Sequence, residues 1–310
     1  MTAEPALVGV VGPTASGKTE LAMALARRVP VEILVADSRQ VYRGMDVGTA
    51  KPDAAARAQV PHHLVDVVDP DQPFTVAQWV ERARRLLPEI DARGTVPVLV
   101  GGTGLYVTAL LDGHDYSAQP WSPERRDALS AELAERGVEP LVQRLRLLAP
   151  DVAGRIDLRN PRRVLRALER AEAGDLRLPR AMPYTGPVAL VALDRPREVL
   201  HRRIDDRSRR MFTSGGLLHE VRRLRDAGYG PDLAPMTGHG YLEAMRHLAG
   251  EWSLDEAIAR TVLRTRQYAK RQLTWFRRDV RIGWIAADAR AGDDPKVVAA
   301  AEERIRAVLS

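Results

Sequence analysis

Eight residues near the start of the chain, Gly12, Pro13, Thr14, Ala15, Ser16, Gly17, Lys18 and Thr19, fit the spacing G-x-x-x-x-G-K-[ST]. A glycine-rich turn of this kind, running from a strand into a helix, aims several backbone N–H groups at one point and so cradles an anion. Lys18 adds a point charge for a terminal phosphate, and the Thr19 hydroxyl can reach Mg2+. The pattern specifies a di- or triphosphate without deciding between ATP and a diphosphate that leaves. Asp37 ends the next strand-like run and is expected to face the same crevice. It reads either as a carboxylate that organises Mg2+ or as a general base. Residues 38–52 follow as a polar stretch, too rich in donors and too long for a simple connection. Gly101, Gly102, Thr103 and Gly104 place a hydroxyl and several free N–H groups at the end of a third strand.

These groups need a scaffold that gathers strand ends. Apolar runs at residues 6–11, 31–36 and 97–100 read as buried parallel strands. A helical pattern over 19–28 follows the first. Thr75 and Gln78 are spaced as a capping box opening a helix to Asp91, and Gly94 stops it. The alternation predicts an α/β fold: a P-loop NTPase-like parallel sheet flanked by helices, with its active site at the strands' C-terminal ends. From 122 to 172 the sequence is helical in pattern and broken at Gly137, Pro150 and Pro161, which predicts a small all-helical insertion domain. The expected division is a catalytic core of residues 1–119 and 186–310 and an insertion of residues 120–185. Residues 188–193 and 282–286 read as further strands. Residues 197–224 and 253–279 read as long helices, the second opened by a Ser253–Glu256 capping box, and the segment from 287 closes with a helix.

The chain has 310 residues, 47 Lys and Arg against 41 Asp and Glu, and no cysteine. That excludes disulfides, thiolate zinc sites, iron–sulfur clusters and a cysteine nucleophile. Met1 to Leu7 carries no Lys or Arg and so no signal-peptide pattern, and no apolar run approaches the ~18 residues of a membrane helix. A cytoplasmic protein is expected. Residues 1–119 carry a net −3 and residues 120–310 a net +9. A polyanionic partner bound by the later region fits this asymmetry. Yet 43 arginines against four lysines is a skew that genome composition alone can produce.

Residues 12–19 and 37–52, His62-His63-Leu64, residues 97–106 and 160–169, and the block 270–277 together resemble the tRNA dimethylallyltransferase (tRNA isopentenyltransferase) family of the bacterial type. The likeness covers nearly the whole chain and is most specific at residues 37–42 and 101–106. It implies transfer of a dimethylallyl group from dimethylallyl diphosphate to the exocyclic N6 of the adenosine just 3′ of the anticodon (tRNA position 37). The tRNAs concerned read codons that begin with uridine. It implies Mg2+ as cofactor, a monomer and no membrane partner. The phosphate loop would hold the leaving diphosphate rather than ATP, and Arg207 would stabilise it, although spacing alone also fits a solvated helix face. An adenine amino group becomes acidic as it bonds to carbon, so an ordinary carboxylate, Asp37, can take its proton. Thr103 matches the family's threonine beside that adenine. The base must be flipped out and enter opposite the diphosphate, which predicts a through-channel.

Ser38, Arg39 and Gln40 match family contacts to the flipped base and its neighbours. Arg125, Arg162, Arg163 and Arg166 match tRNA contacts in the insertion. The last three also recur on one helical face, with Glu169 as an alternative partner for Arg166. Gly240 and Tyr241 match a tRNA-contacting segment in which His239 replaces a usual aliphatic residue. In the last long helix, Ile258, Val262, Ala269, Leu273 and Phe276 read as a buried stripe. Arg260, Arg264, Gln267 and Arg271 line one face, and Lys270 and Arg277 another. Cations outnumber acids on this helix, so contact with an RNA backbone is expected. Gln272 and Trp275 belong to the same matching block, and Tyr268 and Trp275 read either as base-stacking or as core aromatics. The His62-His63 pair is not a metal-site spacing. Three rivals differ in what they need. An enzyme prenylating free nucleotide would not need the insertion or the basic helix. A small-molecule kinase would turn over ATP. A non-catalytic RNA-binding protein would not need Lys18, Thr19, Asp37 and Thr103.

Overall fold

The computed structural model describes residues 4–113, 122–176 and 181–309. It divides into two units, one of Met1–Asp112 and Pro183–Ser310 and one of Gly113–Met182. The sequence expectation put the boundaries at 119/120, which lies outside the described residues, and at 185/186.

The first unit begins with strand β1 (Leu7–Val11), helix α1 (Lys18–Ala26), β2 (Val31–Ala36), the short α2 (Ala54–Gln59) and β3 (His62–His63), α3 (Val76–Ala92), β4 (Val96–Gly101) and α4 (Gly104–Asp112). The second unit holds α5 (Pro123–Arg136), α6 (Glu139–Leu148), α7 (Pro150–Ala153) and α8 (Pro161–Glu172). The first unit resumes with β5 (Val188–Asp194), α9 (Arg197–Thr213), α10 (Leu217–Asp226), a 3-10 turn (Ala234–Thr237), α11 (Tyr241–Leu248), α12 (Leu254–Phe276), β6 (Ile282–Ala286) and α13 (Pro295–Leu309).

The six strands among the described residues are all parallel, in the order β3-β2-β4-β1-β5-β6. The period of two divides β1 between two cores. Leu7 and Val11 pack with Leu34, Leu99, Trp79 and Leu110 on one face, and Val8 and Val10 pack with Ile33, Val98, Leu21 and Leu25 on the other. A sheet buried on both faces leaves only the strand ends free for chemistry. The register Ala36↔Gly101 and Val11↔Gly101 brings the ends of β2, β4 and β1 side by side. The helical unit has its own core of Leu141, Val142, Leu145, Val164 and Leu168 around Leu129.

Both capping boxes form: Thr75 and Gln78 exchange bonds of 2.9 and 3.3 Å, and Ser253 and Glu256 exchange bonds of 2.8 and 3.2 Å. The helix expected over 197–224 is instead two. Gly216 takes φ 83°, a left-handed conformation that ends the α9 segment and starts α10. α2 and β3 are too short to show a periodicity.

Candidate active site

The phosphate loop leaves β1 through Gly12 at φ 127° and enters α1 through Gly17 at φ 101°. Gly17 gives the helix no side-chain cap, so the first amides of α1 stay open to an anion. Arginines hold the loop from behind through its carbonyls. Arg195 Nε donates to Ser16 O at 2.5 Å and Arg203 Nε to Ala15 O at 2.9 Å. Arg207 Nη2 donates to the Thr14 hydroxyl. Arg203 and Arg207 lie one turn apart on α9, so one helix face covers the loop. Lys18 Nζ rests on Pro13 O at 2.7 Å. Burial lowers its pKa to about 8; Asp37 opposes the shift and Arg207 adds to it. Burial likewise lowers Arg207 to about 10, against the pull of Asp37 and with the push of Arg203 and Arg210. Cations crowded this way are what a polyanion would relieve.

Asp37 follows the end of β2. Its Oδ1 accepts the N–H groups of Arg39 at 2.8 Å and Gln40 at 3.4 Å, and among the described residues no donor meets Oδ2. Beside it, Thr103 Oγ1 accepts the Ser38 N–H at 3.0 Å, and the Thr103 N–H donates to Ala36 O at 3.1 Å. Burial and the Asp37 charge raise the pKa of the Tyr268 hydroxyl to about 12. A cavity of about 430 Å3 joins these groups: Thr14, Ala15, Gly17, Lys18 and Thr19 line one side, Asp37, Gln40, Gly102 and Tyr268 another, and Arg203, Arg207 and Arg210 a third. An anion cradle and a carboxylate thus share one cavity.

The long polar loop after Asp37 is pinned from two sides. Buried Lys51 donates to Tyr42 O at 2.8 Å, Asp46 at 2.7 Å and Asp66 at 2.6 Å. Buried Glu220 accepts the N–H groups of Asp46, Val47 and Gly48 at 2.9, 2.7 and 3.2 Å. Arg39 is anchored to Ala234 O at 2.6 Å and Gln40 to Thr49 O at 3.1 Å.

Three residues expected to touch RNA are turned inward. Tyr241 is 1% exposed and donates to Glu220 at 2.6 Å, while buried Gly240 spends its N–H on Glu243 at 2.8 Å. Gln272 is 5% exposed and bonded to Thr14 N and Gly102 O, both at 2.8 Å. The cation surplus on α12 also shrinks, because the acids stand on other elements. Arg264 pairs with Glu243 at 2.5 Å, Arg266 with Asp205, and Arg277 with Asp194 at 2.7 Å. Lys270 and Arg271 remain exposed, and Arg271 lies over the Tyr268 ring. Trp275 is 43% exposed and donates to Thr108 at 3.1 Å. Tyr268 is half-buried at the cavity with His239 against its ring.

In the helical unit, Asn160 caps α8 through the N–H groups of Arg162 and Arg163. Arg162, Arg163 and Arg166 are exposed and Arg125 is half-buried. Glu169 does not serve Arg166: both its oxygens are held by Arg126 at 2.6 Å. Sequence reasoning missed Arg195, Arg203 and the inward role of Gln272. Only Arg203 left a signal, its spacing of four from Arg207.

Comparison with known proteins gives the family of the chain. The family model described as IPP transferase matches residues 40–279. The chain belongs to the IPP transferase family. A second model, isopentenyl transferase, matches residues 5–60. The tRNA dimethylallyltransferase of Anaeromyxobacter dehalogenans (strain 2CP-C) is 48% identical over 90% of this chain and 94% of its own length. That of Heliobacterium modesticaldum is 43% identical over 90% and 89%. The crystal structure of the tRNA isopentenylpyrophosphate transferase of Bacillus halodurans superposes with a TM-score of 0.73 at 38% identity, covering 99% of this chain and 97% of that one. That structure shares the fold of this chain. Among the described residues, no helix is long and apolar enough to cross a membrane.

Proposed function

We propose that this chain transfers the dimethylallyl group of dimethylallyl diphosphate to N6 of the adenosine 3′ of the anticodon in tRNAs reading codons that begin with uridine. One observation carries the reading: the phosphate loop with Lys18 and Arg207 lines the same cavity as Asp37, with Thr103 bonded to Ser38 next to that carboxylate. As the allylic C–O bond breaks, charge grows on the diphosphate. The loop amides, Lys18 and Arg207 stabilise it where it develops. The flipped adenine enters beside Thr103, whose hydroxyl orients it. The amino nitrogen attacks the allylic carbon, and Asp37 Oδ2, which meets no donor among the described residues, takes the proton that becomes acidic. Ser38, Arg39 and Gln40 flank the base, and Arg125, Arg162, Arg163, Arg166, Lys270, Arg271 and Trp275 supply RNA contacts outside. The chain acts as a monomer.

The donor set suits Mg2+. Thr19 presents an exposed hydroxyl at the cavity, a hard oxygen donor next to the phosphate loop. Hard oxygen ligands of this kind, completed by water and substrate phosphate, match the ion's habit. Bound there it would neutralise charge on the leaving diphosphate. Incubating undermodified tRNA with labelled dimethylallyl diphosphate and Mg2+, with AMP as a rival acceptor, tests the reading. Label is expected on tRNA; label on AMP alone would refute it.

A further inference from the structure

Gln272 is a buried amide on a helix whose neighbouring inward positions, Thr265, Ala269 and Phe276, carry no such group. Its orientation is set by its partners. The Thr14 N–H can only donate and the Gly102 carbonyl can only accept, so Oε1 meets the first and Nε2 the second. A Cβ at Gly102 would fall 2.3 Å from Nε2, so glycine there admits the amide. Thr14 is also the residue whose hydroxyl accepts from Arg207. Gly102 precedes Thr103, which holds Ser38 next to Asp37. A continuous path therefore runs from the arginine over the phosphate loop, through Thr14, Gln272 and Gly102, to the threonine beside the carboxylate.

We propose that Gln272 is a positioning residue that fixes the spacing between the phosphate loop and the turn bearing Thr103, so that the allylic carbon and the adenine nitrogen meet at reacting distance. This rests on the donor and acceptor assignment proposed above. Gln272 is only 5% exposed and lines the cavity, so it offers little surface to an RNA backbone outside it. The bonds it makes join two backbones that carry opposite sides of the reaction, and removing them releases one side relative to the other. Interactions that act only on the reacting geometry change the rate of the step more than either affinity.

The test compares Gln272→Met, which keeps the volume and loses both bonds, with Gln272→Glu. Pyrophosphate affinity, tRNA affinity, melting temperature and the single-turnover rate at saturating donor and tRNA are measured for each. Gln272→Met is expected to lower the single-turnover rate by about 100-fold, the scale of a 1 Å misplacement, with both affinities near wild type. Protonated Gln272→Glu can accept from Thr14 and donate to Gly102, whereas its ionised form cannot. Its rate relative to wild type at the same pH is therefore expected to rise as pH falls. Weakened tRNA binding with a normal saturated rate would overturn the proposal in favour of an RNA contact. A lower melting temperature with rate and both affinities falling together would overturn it in favour of packing alone. Should Gln272→Met fail to fold, a pH-independent ratio for Gln272→Glu would overturn it. A wild-type chain that transfers no label to tRNA would refute the function itself, and the positioning role with it.

Discussion

Raising the pH should weaken donor binding through Lys18. Burial and the Arg207 charge hold its pKa near 8 in the ligand-free cavity. A diphosphate against it supplies the negative charge that the cavity lacks and returns the pKa toward the usual lysine value. Binding therefore favours the protonated form, and affinity must fall as pH rises between the free and bound pKa values. With a free pKa of about 8, Lys18 is about nine-tenths protonated at pH 7 and about one-tenth at pH 9. The expected loss over that interval is about tenfold in Kd, or about 1.4 kcal/mol. Arg207, lowered only to about 10, stays mostly charged throughout. Pyrophosphate titrated calorimetrically at pH 7, 8 and 9, in buffers of different ionisation heat, reads both the Kd and the proton taken up. Lys18→Met should bind more weakly with no such slope. An affinity that stays flat or strengthens from pH 7 to 9, or a slope that survives in Lys18→Met, would refute the reasoning.

Asp37→Asn keeps an acceptor for the Arg39 and Gln40 N–H groups but removes the base; single-turnover transfer should fall by about 10^2 to 10^4 while filter-binding affinity for tRNA holds. Arg264→Ala strips the partner from buried Glu243, so it should lower stability by about 3 kcal/mol in urea unfolding and leave the salt dependence of tRNA binding unchanged. Replacing Arg162, Arg163 and Arg166 together by Ala should reduce the slope of log K against log salt by about 2 to 3, with the rate at saturating tRNA near wild type.

The parts of the site that are local in sequence are the parts the sequence shows. The phosphate loop is eight consecutive residues, Asp37 follows directly on a strand, and Thr103 stands two residues beyond one. The parallel sheet follows from apolar runs spaced by helices. What the sequence hides is long-range pairing. Gln272 meets Thr14 and Gly102 across 258 and 170 positions, and nothing in its own neighbourhood distinguishes it from the exposed residues of the same block. The excess of arginine on α12 looked unpaired because Glu243, Asp205 and Asp194 lie on three other segments. Tyr241 carries a hydroxyl that suits RNA equally well, and only the position of Glu220 turns it inward. The glycines at 215 and 216 did carry a local stop signal, which the strong helical pattern on either side masked.

Lys51 and Glu220 have a thermodynamic consequence beyond holding a loop in place. Ordering a free backbone costs about 1–2 kcal/mol per residue, and these two side chains hold the loop backbone at Tyr42 and at Asp46, Val47 and Gly48. That entropy is lost when the chain folds, not when substrate arrives. On the RNA contacts proposed above, docking then approaches the meeting of two preformed surfaces.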